Sequence, residues 1–283
     1  MTLLRKASKH KILNAFCGLL AFLVVLPAFS QSLDSSKHDN IYHRVKSDVV
    51  DIAKSIPYVY SRPLHWKKKN WIQFGSVILA TSTVAIFDER INSYFERNQT
   101  SFQSQLSSVG DFLGQPEYQG PAVIALWGVG VAIKNPWMRE TGSMLAASMA
   151  TSGILQTILK ESVGRARPSF GKGSTEFKPF GGRSYHSFPS GHTMLALSTS
   201  WILARQVNYL PLKIVFYSIT PLVGWSRLYD NAHWASDIVL GSAIGIGCAE
   251  AAIQYFKKLK KHNKTSSLII VPNGNGASIV YNF

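Results

Sequence analysis

The sequence predicts an all-helical bundle of six helices with a short C-terminal β-hairpin. Apolar stretches of helical length, rich in Gly and Ala, recur along the chain and favour helices over strands. The connections between them are short except at Asp88 to Gly120 and at Lys160 to His192. A hydrophobic share of 46% excludes a disordered chain, whereas a mean hydropathy of only +0.05 falls between soluble and membrane proteins.

Each predicted helix corresponds to one apolar stretch. The stretches are Trp71 to Phe87, Pro121 to Ile133, Gly142 to Leu159, Thr193 to Ala204, Ile214 to Trp225 and Ile238 to Phe256. Several are shorter than the roughly 20 residues that a membrane-spanning helix needs. We therefore expect the bundle to be either embedded in a membrane or associated with one.

Residues 1–30 have the order of a secretory signal peptide. Basic residues precede an apolar run from Ile12 to Phe29, which closes with Ala28-Phe29-Ser30. Cleavage after Ser30 would export the protein. The apolar run is also just long enough to remain as an uncleaved N-terminal anchor, so both interpretations stay open.

Residues 31–70 form a basic, polar segment with a short helix predicted around Ile41 to Ile56. Its end, from Trp66 to Trp71, alternates aromatic residues with lysines, a pattern typical of a membrane interface and equally of a solvated face. Residues 71–256 are predicted to form the helical domain. Residues 257–283 are predicted to be a basic tail and a hairpin, because Asn-Gly joins two β-rich runs.

The charge distribution predicts an orientation in a membrane. If Trp71 to Phe87 runs outward, the basic connections and the basic tail fall inside, while the acidic segment Asp88 to Gly120 falls outside. The long loop after Leu159 also falls outside, and the pattern fits six spans. A cleaved signal peptide would invert every span, so the alternative is a periplasmic globule that lies on a membrane.

Thirty Lys and Arg residues against fifteen Asp and Glu residues give a formal net charge of +15. Such a charge favours polyanionic partners, namely nucleic acid, anionic lipid or phosphorylated substrates. The sequence has no zinc-ligand cysteine pairs, RNP-like aromatic motif or long basic run, so we do not predict nucleic acid as the partner. Cys17 and Cys248 lie in separate apolar segments and predict no disulfide framework.

Three clusters group phosphate-binding residue types at predicted helix boundaries. Lys160 and Arg167 are about two helical turns apart at the end of one helix. Ser190, Gly191 and His192 open the next helix, where free backbone amides bind anions. Taken singly, the first cluster is a favourable charge at a helix C-terminus and the second a well-capped helix.

The third cluster contains Arg227, His233 and Asp237. His233 and Asp237 are four residues apart at a helix start, so the carboxylate is predicted to accept the imidazole N–H and leave the other nitrogen free as a nucleophile. Arg227 offers a planar pair of donors to phosphoryl oxygens. On its own, a His and Asp pair at this spacing is more often structural.

Together the clusters have the patterns K-x6-R-P, P-S-G-H and S-R-x5-H-x3-D, in this order, and every defined position is matched. With them the chain resembles the type 2 phosphatidic acid phosphatase (PAP2) superfamily, which also includes bacterial class A acid phosphatases and vanadium haloperoxidases. The resemblance covers roughly Trp71 to Phe256. It implies a metal-independent phosphohydrolase, with no cofactor, on a helical bundle of the PAP2 and haloperoxidase type.

The resemblance implies a role for each matching residue. His233 would be the nucleophile that takes the phosphoryl group, Asp237 would orient it, and His192 would protonate the leaving oxygen and later activate water. The phosphate-binding residues implied are Lys160, Arg167, Ser190, Gly191 and Arg227. Their charges and amides would stabilise the transition state without a metal site. We interpret Arg165 and Arg183 as further positive charges that steer the substrate.

Apolar helices beside a cationic pocket predict a lipid phosphate or diphosphate as substrate, at the membrane or in the periplasm of a bacterial cell envelope. Phosphatidic acid, phosphatidylglycerol phosphate, undecaprenyl diphosphate and lipid A stay open, because the motif contacts only the phosphoryl group. The alternatives are a soluble, exported, nonspecific acid phosphatase and, more remotely, a vanadium haloperoxidase. A lipid-binding protein with an inactive pocket is disfavoured because every catalytic position is present.

Overall fold

The structure, a computed structural model, describes residues 40–264 together with the strand residues 268–273 and 276–281. The N-terminal signal peptide or anchor predicted for residues 1–30 lies outside the described residues.

The described residues form nine α-helices and two strands. The helices are α1 (Ile41–Ser61), α2 (Lys68–Ala85), α3 (Asp88–Arg97), α4 (Ser101–Gly114), α5 (Pro116–Ala132), α6 (Pro136–Val163), α7 (Gly191–Gln206), α8 (Leu210–Tyr229) and α9 (Ala235–Lys264). Short 3-10 turns lie at Arg62–His65, Pro168–Phe170 and Arg183–Tyr185. The strands β1 (Leu268–Asn273) and β2 (Gly276–Tyr281) pair antiparallel, with Leu268 opposite Tyr281 and Asn273 opposite Gly276.

The predicted all-helical class is confirmed for the bundle, but the predicted count of six helices is wrong. The six apolar stretches correspond to α2 and α5 to α9, and the short helix predicted near Ile41 is α1. Two further helices, α3 and α4, occupy the segment predicted as the loop Asp88 to Gly120. Helix α3 is polar and begins with two acidic residues. Helix α4 interleaves apolar and polar residues, and the Thr100 side chain caps it by accepting from the amide of Gln103. Neither helix contains the continuous apolar stretch on which the prediction depended.

The main core lies between α6, α7 and α9, with contributions from α5 and α8. Its buried side chains include Leu126, Trp137, Met138, Leu145, Ile202, Leu203, Phe216 and Ile253. These apolar faces bury against one another along the middle of the bundle, so the ends of the helices are left to carry polar groups.

Helices α7 and α9 approach closely because α9 carries Gly241 and Gly245 one turn apart. A Cβ on Gly241 would lie 2.6 Å from the carbonyl oxygen of Ser190, and one on Gly245 would lie 2.5 Å from that of Met194. The amide of Ser190 donates to the carbonyl oxygen of Asp237 at 3.1 Å. This packing sets the N-termini of the two helices side by side at one end of the bundle.

Helix α1 packs on the outside of α5, α6 and α9. The Arg44 guanidinium donates to the carbonyl oxygen of Val131 at 2.7 Å. The Asp48 carboxylate accepts from the Trp127 indole at 3.0 Å and from Arg139 at 2.8 Å.

The domain boundaries predicted from the sequence at residues 70 and 256 stay predictions.

The antiparallel course of the long helices divides their ends between two sides of the bundle. The C-termini of α6 and α8 meet the N-termini of α7 and α9 on the side that carries the predicted site. Basic residues gather at the opposite ends of these helices, among them Lys134, Arg139, Arg205, Lys213 and Lys260. The predicted orientation would put that basic side inside the cell.

Within the described residues, composition and length identify one helix as a candidate membrane span. It is the segment Ala235–Lys261 of α9, with a mean hydropathy of 1.4 and half of its most apolar part buried inside the protein. Helices α2 and α3 meet the same criterion only as a pair, and their axes are bent by 54°. The other predicted spans do not meet it.

Candidate active site

A sharp turn after α6 brings the first motif to the site. Gly164 ends the helix in the left-handed conformation, with φ of 59°, and its amide donates to the carbonyl oxygen of Lys160 at 3.0 Å. A Cβ at this position would lie 2.0 Å from the carbonyl oxygen of Lys178. The turn therefore requires glycine, and it leads Arg165 and Arg167 towards the N-terminus of α9.

We expect Gly164→Ala to lower the free energy of unfolding by more than about 1 kcal/mol, because alanine is strained at positive φ and collides with the Lys178 carbonyl. Gly153→Ala is the matched control: Gly153 lies within α6 and a Cβ there meets no atom within 4 Å. That control should be neutral or slightly stabilising. Equal melting temperatures for the two variants would contradict this account of the turn.

His233 lies in the turn before α9 and is only 1% exposed. Its Nδ1 atom is 2.6 Å from the carbonyl oxygen of Ser187. A carbonyl oxygen only accepts, so Nδ1 carries the proton and donates, and Nε2 keeps a free lone pair. Asp237 was predicted to accept this proton, but its Oδ2 lies 3.8 Å from Nδ1, an ion-pair distance. The Ser187 carbonyl therefore sets the tautomer, and the carboxylate lies close enough to stabilise a positive imidazole.

The Asp237 carboxylate is fully buried and held by several donors. Its Oδ1 accepts from Arg165 at 2.6 Å, and its Oδ2 accepts from the Trp234 amide at 2.9 Å and from the Ser187 hydroxyl. Ser187 thus contacts both partners of the third motif, His233 through its carbonyl and Asp237 through its side chain. Sequence reasoning missed Ser187, since a backbone carbonyl leaves no signal in the residue type.

Arg165 is a buried link between two carboxylates and does not steer substrate as we interpreted from the sequence. Its guanidinium is 2.6 Å from Asp237 and 2.8 Å from Asp88, and the residue is 4% exposed. Asp88, the first residue of α3, also accepts from the amide of Ser236 at 2.9 Å. A buried charge with two ion-pair partners has a positioning role. Arg183, by contrast, is exposed.

Two of the predicted phosphate-binding cations keep donors for a ligand. Lys160 has neither a hydrogen bond nor an ion pair within the part of the chain that the structure describes. Burial and the nearby charge of Arg167 lower the pKa of Lys160 to about 8. Arg167 donates to the carbonyl oxygens of Ala232 at 2.9 Å and Arg183 at 3.2 Å, which leaves part of its guanidinium unused.

Arg227 is held by residues on α4 and α8. Its terminal nitrogens donate to Asp111 at 2.8 Å and to Asp230 at 3.0 Å, and its Nε donates to the Ser226 hydroxyl at 3.2 Å. A guanidinium has five N–H groups, so these bonds leave one on each terminal nitrogen. Two donors in one plane match two oxygens of a phosphoryl group.

The N-terminus of α7 supplies backbone donors. The amides of Gly191 and His192 lie in the first turn, and the structure gives them no acceptor among the described residues. A Cβ on Gly191 would meet the amide end of the Gln156 side chain, so a larger residue there would displace that side chain. Ser190 is fully buried, with its hydroxyl 3.0 Å from that of Thr193. Free amides at a helix start form an anion site.

Charged residues from all three motifs act on the pKa values of the two histidines. Burial first, and then the charges of Arg227, His233, Lys160 and Arg167, lower the pKa of His192 to about 3. Burial, together with Arg167 and Lys160, also lowers the pKa of His233 to about 4, against the opposing effect of Asp237. Both imidazoles are therefore neutral at neutral pH in the ligand-free site. Positive charge is concentrated around them, which suits an anionic ligand.

Asp111 also belongs to this site, although sequence reasoning missed it. It lies on α4 with Oδ1 2.8 Å from Arg227 and 3.7 Å from Nε2 of His192. Its neighbours in sequence form no phosphate-binding pattern. Among the described residues, no group of three or more His, Cys, Asp or Glu side chains is arranged to hold a metal ion.

Comparison with known proteins identifies relatives of the chain. Residues 142–261 match the PAP2 superfamily. A lipid A 1-phosphatase of Rhizobium johnstonii is 33% identical over 107 residues, which cover 37% of this chain and 43% of the relative. A lipid A 1-phosphatase of Porphyromonas gingivalis is 26% identical over 246 residues, 82% of this chain and 48% of the relative. The chain thus spans just under half the length of these two relatives.

The fold is similar to a solved structure. The crystal structure of a transmembrane PAP2 type phosphatidylglycerolphosphate phosphatase from Bacillus subtilis aligns with a TM-score of 0.52 and 22% identity. The alignment covers 66% of this chain and 96% of that chain. This likeness concerns the fold of the helical bundle.

Proposed function

We propose that this chain, whose residues 142–261 match the PAP2 superfamily, is a metal-independent phosphatase of lipid phosphates. One observation supports this above all: His233 keeps a free Nε2 lone pair, and the charges of Lys160 and Arg167 lie close enough to lower its pKa. Arg227 acts in the same way on the neighbouring His192. A nucleophile amid fixed cations suits attack on a phosphoryl group, because the cations reduce the repulsion and stabilise the charge of the transition state.

In the first step Nε2 of His233 attacks phosphorus, and the bond from phosphorus to the leaving oxygen breaks. The imidazole becomes a positively charged phosphohistidine, which the Asp237 carboxylate at 3.8 Å stabilises. His192 gives its proton to the leaving oxygen. A bound phosphate group brings negative charge next to His192 and thereby raises its pKa from the ligand-free value near 3.

In the second step neutral His192 takes a proton from water, and the hydroxide attacks the phosphohistidine. Phosphate leaves and His233 regains its free Nε2, so the cycle closes. Lys160, Arg167, Arg227 and the amide of Gly191 would hold the non-bridging oxygens in both steps, and the Ser190 hydroxyl would add a donor. These roles are the ones that the resemblance implies for the same residues.

A lipid substrate is supported by the relatives and by the surface of the bundle. Two relatives are lipid A 1-phosphatases, and the similar solved structure is a phosphatidylglycerolphosphate phosphatase. Large apolar side chains are exposed on α2 and α8, among them Trp71, Ile72, Leu79, Leu210, Ile214 and Val215. Apolar faces of this kind suit contact with lipid. We therefore infer a place at the membrane of a bacterial cell envelope, with the site on the periplasmic side.

The proposal is tested by phosphate release from membranes that carry the wild type or His233→Ala, with a chelator present. The substrates are phosphatidic acid, phosphatidylglycerol phosphate, undecaprenyl diphosphate, lipid A and water-soluble phenyl phosphate, offered in parallel. We expect release from a lipid that requires His233 and ignores the chelator. Equal use of phenyl phosphate by a soluble fraction would favour the exported acid phosphatase, and no release at all would overturn the proposal.

The pH dependence of the reaction should report on Lys160. Its ammonium form binds phosphate and prevails below a pKa of about 8, so kcat/KM should fall as the pH rises through 8. Lys160→Arg keeps its charge across this range, so the alkaline fall should move to higher pH. Lys178→Arg, an exposed lysine in the following loop, should leave the profile unchanged. An identical alkaline limb in the wild type and Lys160→Arg would show that another group titrates.

A further inference from the structure

A polar cavity of about 510 Å³ opens beside the phosphate-binding residues. It lies between the connection that precedes α4, one face of α4 and the end of α8. The lining residues are Gln99, Ser104, Ser108, Asp111, Tyr229, Asp230 and Asn231. None of them is a Lys, Arg or His, in contrast to the cationic site next to it. A cavity of this size accommodates far more than a phosphoryl group.

The cavity and the phosphate site share a wall. Asp111 and Asp230 line the cavity, and both accept hydrogen bonds from Arg227, at 2.8 Å and 3.0 Å. The same Asp111 oxygen lies 3.7 Å from Nε2 of His192, the group that would protonate the leaving oxygen. The leaving group of a substrate bound through Arg227 would therefore point towards Asp111 and the cavity.

The lining selects for the chemistry of its occupant. Two carboxylates share the one positive charge of Arg227, so a second phosphate would be repelled. Serine hydroxyls and side-chain amides both donate and accept hydrogen bonds, and the carboxylates accept them. An ammonium group has no acceptor lone pair and would leave the donors unmatched. Hydroxyl groups, which donate and accept, match every member of the lining.

One detail of the lining favours a bound polyol or sugar. The Ser104 hydroxyl has no hydrogen-bond partner in the part of the chain that the structure describes, so it is available to a ligand. Tyr229 closes the cavity as a buried, rigid wall, because its ring stacks on Trp225 at 5.3 Å and its hydroxyl donates to the carbonyl oxygen of Thr100 at 2.9 Å.

We propose that this cavity binds a hydroxyl-bearing head group, a glycerol or a sugar, that carries the scissile phosphate. The proposal rests on the phosphatase function and adds the substrate class: a phosphate monoester of a hydroxylated head group, in preference to a phosphate attached directly to diacylglycerol. Asp111 also accepts from the Gln115 side chain and Asp230 from the Ser107 hydroxyl. The lone pairs that remain on the two carboxylates would accept from head-group hydroxyls. Ser104 would supply a donor and an acceptor to the same group.

The test compares two lipids with matched acyl chains in the same detergent micelles. Phosphatidylglycerol phosphate carries a free hydroxyl next to its terminal phosphate, and phosphatidic acid carries none. We expect the wild type to favour the hydroxylated lipid in kcat/KM by about tenfold or more, a difference of one or two hydrogen bonds. Ser104→Ala should reduce this ratio about fivefold, and Ser104→Ala with Ser108→Ala should reduce it further.

The matched control is Ser101→Ala, an exposed serine one turn earlier on α4 that does not line the cavity. Its ratio should equal that of the wild type. A wild type that favours phosphatidic acid, or a ratio that both serine variants leave unchanged while both lipids are hydrolysed, would overturn the head-group assignment and leave the phosphatase function standing. No hydrolysis of either lipid by the wild type would overturn both.

Discussion

His233→Ala should lose at least about 10⁴-fold in kcat, because removal of a covalent nucleophile leaves only the electrostatic part of catalysis. The imidazole is fully enclosed, and its Nε2 lone pair is freed by the bond from Nδ1 to the Ser187 carbonyl. Alanine keeps the surrounding cations, so binding of inorganic phosphate should persist. Initial rates of phosphate release and phosphate inhibition constants measure the two effects separately.

The matched control is His65→Ala, since His65 is exposed in the 3-10 turn before α2. It should retain the wild-type rate. A trapping experiment adds a direct observation: the wild type quenched during turnover should carry an acid-labile phosphoryl group, and His233→Ala should carry none. Wild-type turnover by His233→Ala would contradict its assignment as the nucleophile.

His192→Ala distinguishes the two steps of the same mechanism. A nitrophenyl phosphate needs little protonation of its leaving group, so this variant should still form the phosphohistidine from it. Hydrolysis of that intermediate needs His192 as the base and should be slow. The expected result is a burst of nitrophenol of about one equivalent followed by a slow steady state.

The residues predicted from the sequence are those at helix ends with a local pattern. Lys160, Ser190 and Asp237 each lie within a few residues of a helix boundary that hydropathy identifies. Phosphate-binding types at such boundaries have a reason to be there, because helix N-termini attract anions and charged side chains at C-termini reach past the last turn. Because three such clusters occur in one chain, the sequence alone was enough to predict a phosphate site.

The carboxylates on α3 and α4 were not predictable in the same way. Asp88 and Asp111 lie in a polar segment that hydropathy assigns to a loop, and neither belongs to a pattern of neighbouring residues. Their partners, Arg165 and Arg227, are 77 and more than 100 positions away in the sequence. Only tertiary packing brings these charges together, so their roles follow from the structure.

The interpretation of Arg165 was wrong for the same reason. In the sequence it is one more cation in a basic loop, which suggests an exposed side chain. The glycine turn at Gly164 folds the loop back, and Arg165 becomes buried between Asp88 and Asp237. The motif spacing from Lys160 assigns phosphate binding to Arg167, two positions later, but it gives no sign that Arg165 is buried.

Arg165→Met should lower the free energy of unfolding by about 3–5 kcal/mol, because it leaves two buried carboxylates without their counter-charge. The effect should reach the reaction as well: Asp237 loses its Oδ1 partner, so the support for a positive His233 weakens and kcat should fall even where the protein stays folded. Thermal unfolding in detergent and kcat at a low temperature measure the two effects. Arg183→Met, an exposed arginine in the same loop, should change the free energy of unfolding by no more than about 0.5 kcal/mol.

A double variant shows whether the loss comes from the unpaired charge. Asp88→Asn removes one of the two carboxylates that Arg165 links, so its addition to Arg165→Met should cost less than its effect in the wild-type background. The expected coupling energy is about 1 kcal/mol or more, since the two side chains are 2.8 Å apart and both are buried. If the two costs add without coupling, or if Arg165→Met is as stable as Arg183→Met, the buried link is not what holds Asp237 beside His233.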